Sequence, residues 1–179
     1  MNLPNKLTML RIILIPIFVV FMFIDIPGNY DNWVALALFL IAAFTDMLDG
    51  KIARKRNLVT NFGKLMDPLA DKLLVCSALV CLVALDRIPA WIVIVIIARE
   101  FLITGVRQVA AESGRVIAAS YWGKFKTVFQ MAMISCMIAN LEPLQMVTTI
   151  LMWAALALTL ISMIDYLAKN KDVITAGGL

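Results

Sequence analysis

Six apolar stretches, each close to the length of a bilayer crossing, constrain this chain more than any other feature. A helix needs ~20 mostly apolar residues to cross the hydrocarbon core. Such stretches run from Leu7 to Ile26, Trp33 to Arg54, Gly63 to Leu85, Pro89 to Ala111, Ala118 to Leu141 and Pro143 to Leu167. Turn residues join them at Pro27-Gly28-Asn29, Asp86-Arg87, Ser113-Gly114 and Asn140 to Pro143. Soluble domains are near half apolar and a quarter charged. Here 63% of residues are hydrophobic and 16% charged, which excludes a soluble globular domain and a disordered chain. The expectation is an all-α integral membrane protein with six transmembrane helices. Residues 1–179 then form a single membrane domain, opened by a short interfacial segment at 1–6. The first apolar run shows no small-residue cleavage site, so it reads as a span rather than a signal peptide.

The charges fall on one side. Lys6, Arg11, Lys51, Arg54, Lys55, Arg56, Lys64, Arg107, Arg115, Lys124, Lys126, Lys169 and Lys171 cluster at alternate connections and at both ends. The opposite connections hold Asp25, Asp31, Asp86 and Glu142 with one base, Arg87. Cytosolic loops carry the Lys/Arg excess, so both termini are expected in the cytosol. The net charge of +4 follows from that bias and does not indicate nucleic acid. Histidine is absent, which removes every mechanism that needs an imidazole. Cys76, Cys81 and Cys136 lie in apolar runs without zinc-type pairing and read as packing residues.

Four carboxylates do not belong in such a chain. The uninterrupted apolar part of the second stretch, Trp33 to Phe44, spans only ~18 Å. Crossing requires continuing through Asp46-Met47-Leu48-Asp49-Gly50-Lys51-Ile52-Ala53-Arg54. The third stretch opens with Gly63-Lys64-Leu65-Met66-Asp67-Pro68-Leu69-Ala70-Asp71. An Asp at mid-membrane costs ~3 kcal/mol, and four would cost on the order of 10 kcal/mol if isolated. Asp46 and Asp49 are three apart and share a helix face; Asp67 and Asp71 are four apart and share another. Small Gly50, Ala53 and Gly63 allow a helix or a ligand to approach closely. Interfacial salt bridges to Lys51, Arg54, Lys64 and Lys72 are the plain alternative. Four facing carboxylates repel one another, and a hard divalent cation, Mg²⁺ or Mn²⁺, relieves that repulsion. Two such ions ~4 Å apart clamp phosphate oxygens in an in-line displacement.

The pattern Asp46, Asp49, Gly50, Ala53, Arg54, Gly63, Asp67 and Asp71 resembles, without departure, the D-x2-D-G-x2-A-R-x8-G-x3-D-x3-D signature of the CDP-alcohol phosphatidyltransferases. The opening Asn2-Leu3-Pro4-Asn5-Lys6-Leu7-Thr8 with Arg11 is similar to that family's amino-terminal segment. The stretches Ala98-Arg99-Glu100, Thr104-Gly105-Val106-Arg107, Gly114, Val116 to Ala119 and Gly123 to Thr127 resemble bacterial members whose acceptor is glycerol 3-phosphate. The resemblance implies a six-helix CDP-alcohol phosphotransferase-like bundle that pairs as a homodimer in a bacterial plasma membrane. It implies that CDP-diacylglycerol donates its phosphatidyl group to glycerol 3-phosphate, giving phosphatidylglycerophosphate and CMP. By the same resemblance Asp46, Asp49, Asp67 and Asp71 hold two Mg²⁺ or Mn²⁺ ions. Asp71 also deprotonates the acceptor hydroxyl. Gly50, Ala53 and Gly63 leave room for the cytidine diphosphate, Arg54 meets its phosphates, and Asn5 and Thr8 hydrogen-bond the nucleotide.

A dianionic acceptor calls for cations near the metals, and guanidinium suits bidentate phosphate contacts. Candidates are Arg99, Arg107, Arg115, Lys124 and Lys126. Arg99 and Glu100 interrupt an apolar span; the lysines have the alternative of snorkelling to lipid headgroups. Arg99 has the alternative of pairing with Glu100 or Asp165. Two rival readings remain open at this point. One keeps the chemistry with inositol phosphate or serine as acceptor; the other is a divalent-cation transporter built on the Asp cluster.

Overall fold

In the computed structural model, the backbone is described for residues 3–28, 30–56, 61–112 and 120–171. Side chains are described for 8–28, 30–45, 69–70, 72–111 and 120–171. Six α-helices and no strand occur among the described residues. They are α1 (Leu3–Phe23), α2 (Tyr30–Arg56), α3 (Asn61–Ala84), α4 (Ala90–Glu112), α5 (Tyr121–Ala139) and α6 (Gln145–Lys169), the last entered through a 3-10 turn at Glu142–Leu144.

Each helix answers to one apolar stretch, but the ends move. α1 starts at Leu3, so most of the segment expected to lie at the interface is helical. Pro4 explains this, because proline is well suited to a first helical turn. Pro16 sits inside α1 without ending it. α5 starts at Tyr121 rather than at Ala118. Ser120 sets that boundary: its Oγ accepts the Gly123 backbone N–H at 3.1 Å, an N-cap bond. The segment Glu142–Lys169 is 28 residues long, contains an 18-residue stretch of mean hydropathy 2.1, and is long and apolar enough to cross a membrane. Among the described residues, the apolar helical stretches Thr8–Phe23, Tyr30–Thr45 and Lys72–Ala84 are shorter.

The contacts divide the chain into two compact units. The first comprises Met1–Arg87 with Met137–Asn140. Within it α1 packs on α2 and α3. Its core is Ile15, Phe18 and Met22 of α1, Ala35, Phe39 and Ala42 of α2, and Leu74, Ala78, Leu79 and Leu82 of α3. The three alanines are at most 1% exposed, which lets backbones approach closely. At one end Arg87 ties the unit together. Its guanidinium donates to Asn32 Oδ1 at 3.0 Å and to the carbonyls of Met137 and Ile138 at 3.1 Å, closing the last turn of α5. Burial pushes the Arg87 guanidinium below its ordinary range, and the charge of Asp31 opposes the shift.

The second unit comprises Ile88–Cys136 with Leu141–Leu179. Here α4 packs on α6. The buried apolar positions Ile92, Ile96 and Ile103 of α4 lie on one helix face. So do Ala155, Leu156, Thr159, Ser162 and Tyr166 of α6. Trp91 and Trp153, both half-exposed, meet at a centroid distance of 6.1 Å.

Candidate functional site

The first unit carries the aspartate signature on uninterrupted helix. α2 runs 27 residues, through Asp46, Asp49, Gly50, Ala53 and Arg54 to Arg56. Its buried positions Ala35, Phe39 and Ala42 step by four and three. Asp46 and Asp49 continue that rhythm, by four and three again. α3 behaves alike: Asp67 lies three before buried Ala70, which lies four before buried Leu74. The signature positions therefore extend the packing faces of both helices rather than their outward faces. The side chains of Asp46, Asp49, Asp67, Asp71, Asn5, Ala53 and Arg54 lie outside the described residues. Gly50 and Gly63 are placed in helix by backbone alone.

α1 supplies the facing stripe. Thr8, Arg11, Ile15, Phe18 and Met22 are all buried and alternate in steps of three and four. Phe18 meets Phe39 with ring centroids 5.9 Å apart. α1 and α2 are consecutive and packed along each other, so their directions oppose. Seven residues from Phe18 toward the start of α1, and seven from Phe39 toward the end of α2, cover ~10 Å the same way. Those positions are Arg11 and Asp46. Ten residues reach Thr8 and Asp49, ~15 Å away on each helix. The register thus sets Arg11 level with Asp46, and Thr8 level with Asp49. Thr8 and Arg11 are both 0% exposed. Thr8 is an expected nucleotide contact, whereas Arg11 carries a topology charge and belongs to the family-like opening segment with no expected role in the site. The three-four stripe running from Met22 back to Thr8 is the signal that marks Arg11 as inward.

The second unit gathers part of the cationic set. On α4, Ile92, Ile96, Arg99 and Ile103 step by four, three and four, so Arg99 occupies the buried face. Arg99 is 8% exposed, and its Nη1 donates to Glu100 Oε1 at 3.3 Å. The same carboxylate oxygen accepts a short charge-assisted bond from Lys126 Nζ of α5. Lys126 is 2% exposed. One carboxylate therefore holds a cation from its own helix and another from the neighbouring helix. Asp165, the other partner weighed for Arg99, pairs with Lys169 at 2.6 Å.

Beside this group lies a cavity of about 160 Å³, far larger than one water needs. Arg99, Glu100, Ile103 and Arg107 of α4, Ser120, Gly123 and Thr127 at the start of α5, and Tyr166 of α6 line it. Arg99, Ile103 and Arg107 are successive turns of α4, which brings two guanidinium groups to one wall. The start of α5 adds the positive end of a helix dipole. A Cβ at Gly123 would stand 3.5 Å from Arg99 Nη2 and 3.4 Å from Ser120 Oγ, so glycine keeps the guanidinium's flank open. Arg99 Nε and the Tyr166 hydroxyl are buried without hydrogen-bond partners.

Of the five expected acceptor cations, Arg99 and Arg107 line this cavity and Lys126 sits in the Glu100 pair. Lys124 is exposed and outside the lining, and Arg115 lies outside the described residues. Tyr166 was not anticipated. An aromatic near the end of a span reads as a headgroup-belt residue. Only the polar stripe Thr159, Ser162, Tyr166, at steps of three and four, hints that it points inward.

Together these features describe a helical protein with paired acidic positions on two helices and a cationic, phosphate-sized cavity. The chain belongs to the CDP-alcohol phosphatidyltransferase family, whose profile matches residues 1–161. It is 45% identical to a Bacillus subtilis protein named CDP-diacylglycerol--glycerol-3-phosphate 3-phosphatidyltransferase, over 97% of both chains. A Rickettsia bellii protein of the same name is 39% identical over 95% of this chain and 96% of its own. A Mycobacterium tuberculosis protein named probable phosphatidylglycerophosphate synthase is 39% identical over 94% of this chain and 81% of its own.

Proposed function

We propose that this chain transfers the phosphatidyl group of CDP-diacylglycerol to glycerol 3-phosphate. The acceptor hydroxyl oxygen attacks the phosphorus that bears diacylglycerol. The bond from that phosphorus to the pyrophosphate bridge breaks, CMP leaves, and the hydroxyl proton passes to Asp71. The products are phosphatidylglycerophosphate and CMP, as in phosphatidylglycerol biosynthesis. The observation that carries this reading is the unbroken α2, which keeps Asp46 and Asp49 on one packing face in a chain matched along 97% of its length by a relative with this enzyme name.

The donor set fits a hard divalent cation, because Asp46, Asp49, Asp67 and Asp71 are all carboxylates at helical spacings of three and four. When bound there, Mg²⁺ or Mn²⁺ supplies charge neutralisation for the donor's phosphates. The protein's own groups do the rest. Thr8 and Asn5 hydrogen-bond the nucleotide, Arg54 meets its phosphates, and Gly50, Ala53 and Gly63 leave it room. Arg99 and Arg107 hold the acceptor phosphate. In this reading the helices cross a bacterial plasma membrane six times, with both termini cytosolic and a second copy completing a homodimer. Exposed apolar side chains such as Ile13, Ile17 and Val20 of α1 and Ile150, Ile161 and Ile164 of α6 support lipid contact.

The test is purified protein in detergent with Mg²⁺ or Mn²⁺ and CDP-diacylglycerol. CMP release is expected with glycerol 3-phosphate, and not with serine or inositol phosphate; EDTA is expected to abolish it. CMP release driven by serine or inositol phosphate instead overturns the acceptor assignment. Arg99→Ala is expected to raise the KM for glycerol 3-phosphate about tenfold or more, with the KM for CDP-diacylglycerol little changed. An unchanged acceptor KM removes Arg99 from the site.

A further inference from the structure

We infer that the Tyr166 hydroxyl is a direct ligand of the acceptor's phosphate, working with Arg99 and Arg107. The inference rests on the acceptor reading above and names a residue that reading does not supply. Two observations carry it. Tyr166 is 3% exposed, yet its hydroxyl has no hydrogen-bond partner within the protein. The same side chain lines the 160 Å³ cavity that Arg99 and Arg107 also line.

A buried hydroxyl normally finds a partner, because leaving one unpaired is unfavourable. Ser120 and Thr127, the other hydroxyls on the wall, already have theirs. Ser120 Oγ accepts the Gly123 N–H, and Thr127 Oγ1 donates to the Gly123 carbonyl at 3.0 Å. Of these three hydroxyls, Tyr166 is the one whose oxygen neither donates nor accepts within the protein. Arg99 Nε is the second unused donor on this wall. Both guanidinium charges act on the phenol. A neutral donor beside two cations donates best to an anionic oxygen, and Glu100, the carboxylate among the cavity-lining residues, already accepts from Arg99 and Lys126. A phosphate monoester offers three such oxygens, enough for Arg99, Arg107 and Tyr166 at once. Tyr166 also stands on α6, whereas both arginines stand on α4, so the phosphate would be gripped from two helices.

The decisive variant is Tyr166→Phe, which removes one oxygen. Because that oxygen bonds nothing in the unliganded protein, Tm is expected to hold or rise. The KM for glycerol 3-phosphate is expected to rise about tenfold to a hundredfold, with the KM for CDP-diacylglycerol unchanged. Inorganic phosphate, used as a competitive inhibitor against glycerol 3-phosphate, should lose affinity by the same factor. An unchanged acceptor KM in an active variant overturns the proposal, as does a raised KM with an unchanged phosphate inhibition constant. A variant that no longer folds overturns it too, since the hydroxyl would then be structural. Failure of the wild-type protein to release CMP with glycerol 3-phosphate counts against the acceptor reading itself. Weaker phosphate protection of Tyr166→Phe than of wild type in a thermal-shift measurement would still support an anion ligand.

Discussion

Asp71→Asn should leave a folded protein that binds CDP-diacylglycerol and releases CMP about 10²–10⁴ times more slowly, the range associated with loss of a general base. The substitution keeps the side chain's size and removes its charge and its capacity to take a proton. Asp71 stands where the polar opening of α3 gives way to its apolar body, three residues before buried Leu74 and seven before buried Ala78. An asparagine there meets the same neighbours, so the melting temperature should change little. The kcat for glycerol 3-phosphate should fall while the KM for the donor stays within about threefold, a difference under ~1 kcal/mol in binding. Asp46→Asn should behave differently, weakening metal-dependent donor binding as well as turnover. Wild-type turnover in purified Asp71→Asn would remove the base from this position.

The aspartate signature was legible because its information is local. Helical periodicity converts fixed gaps of three and four into shared faces, and the backbone of α2 keeps that periodicity through Asp46, Asp49 and Arg54 to Arg56. The existence of all six helices was legible for the same reason, since a long apolar run forms a helix wherever its backbone must satisfy itself. Their ends were not, because caps override hydropathy: Ser120 starts α5 after Ala118 and Ala119, which the apolar pattern includes. The Glu100–Lys126 pair was hidden because its partners lie 26 residues apart on different helices. Arg11 was hidden by its own charge. A basic residue near an amino terminus satisfies the topology rule, and it takes the burial of Arg11 and of its neighbours on the stripe to show that it faces inward.

Glu100→Ala should be the most destabilising single change in the second unit. The carboxylate accepts from Arg99 and Lys126, which are 8% and 2% exposed. Its removal leaves two positive charges facing each other across α4 and α5 without the anion between them. Deleting one member of a buried ion group costs about 3–5 kcal/mol, and a chain of this length loses roughly 2–4 °C of melting temperature per kcal/mol. A fall of about 6 °C or more is therefore expected by circular dichroism or fluorescence in detergent. Glu100→Gln keeps an acceptor oxygen at the same reach, so its fall should be smaller. Adding Lys126→Met to Glu100→Ala should return much of the loss, because a long apolar side chain then replaces the surplus charge. The acceptor KM separates the two roles open to Lys126. If Lys126 serves to hold Glu100, which in turn orients Arg99, Glu100→Gln raises the acceptor KM although no phosphate ligand has been removed. If Lys126 grips the phosphate itself, Glu100→Gln frees it to bind more tightly, and the acceptor KM falls.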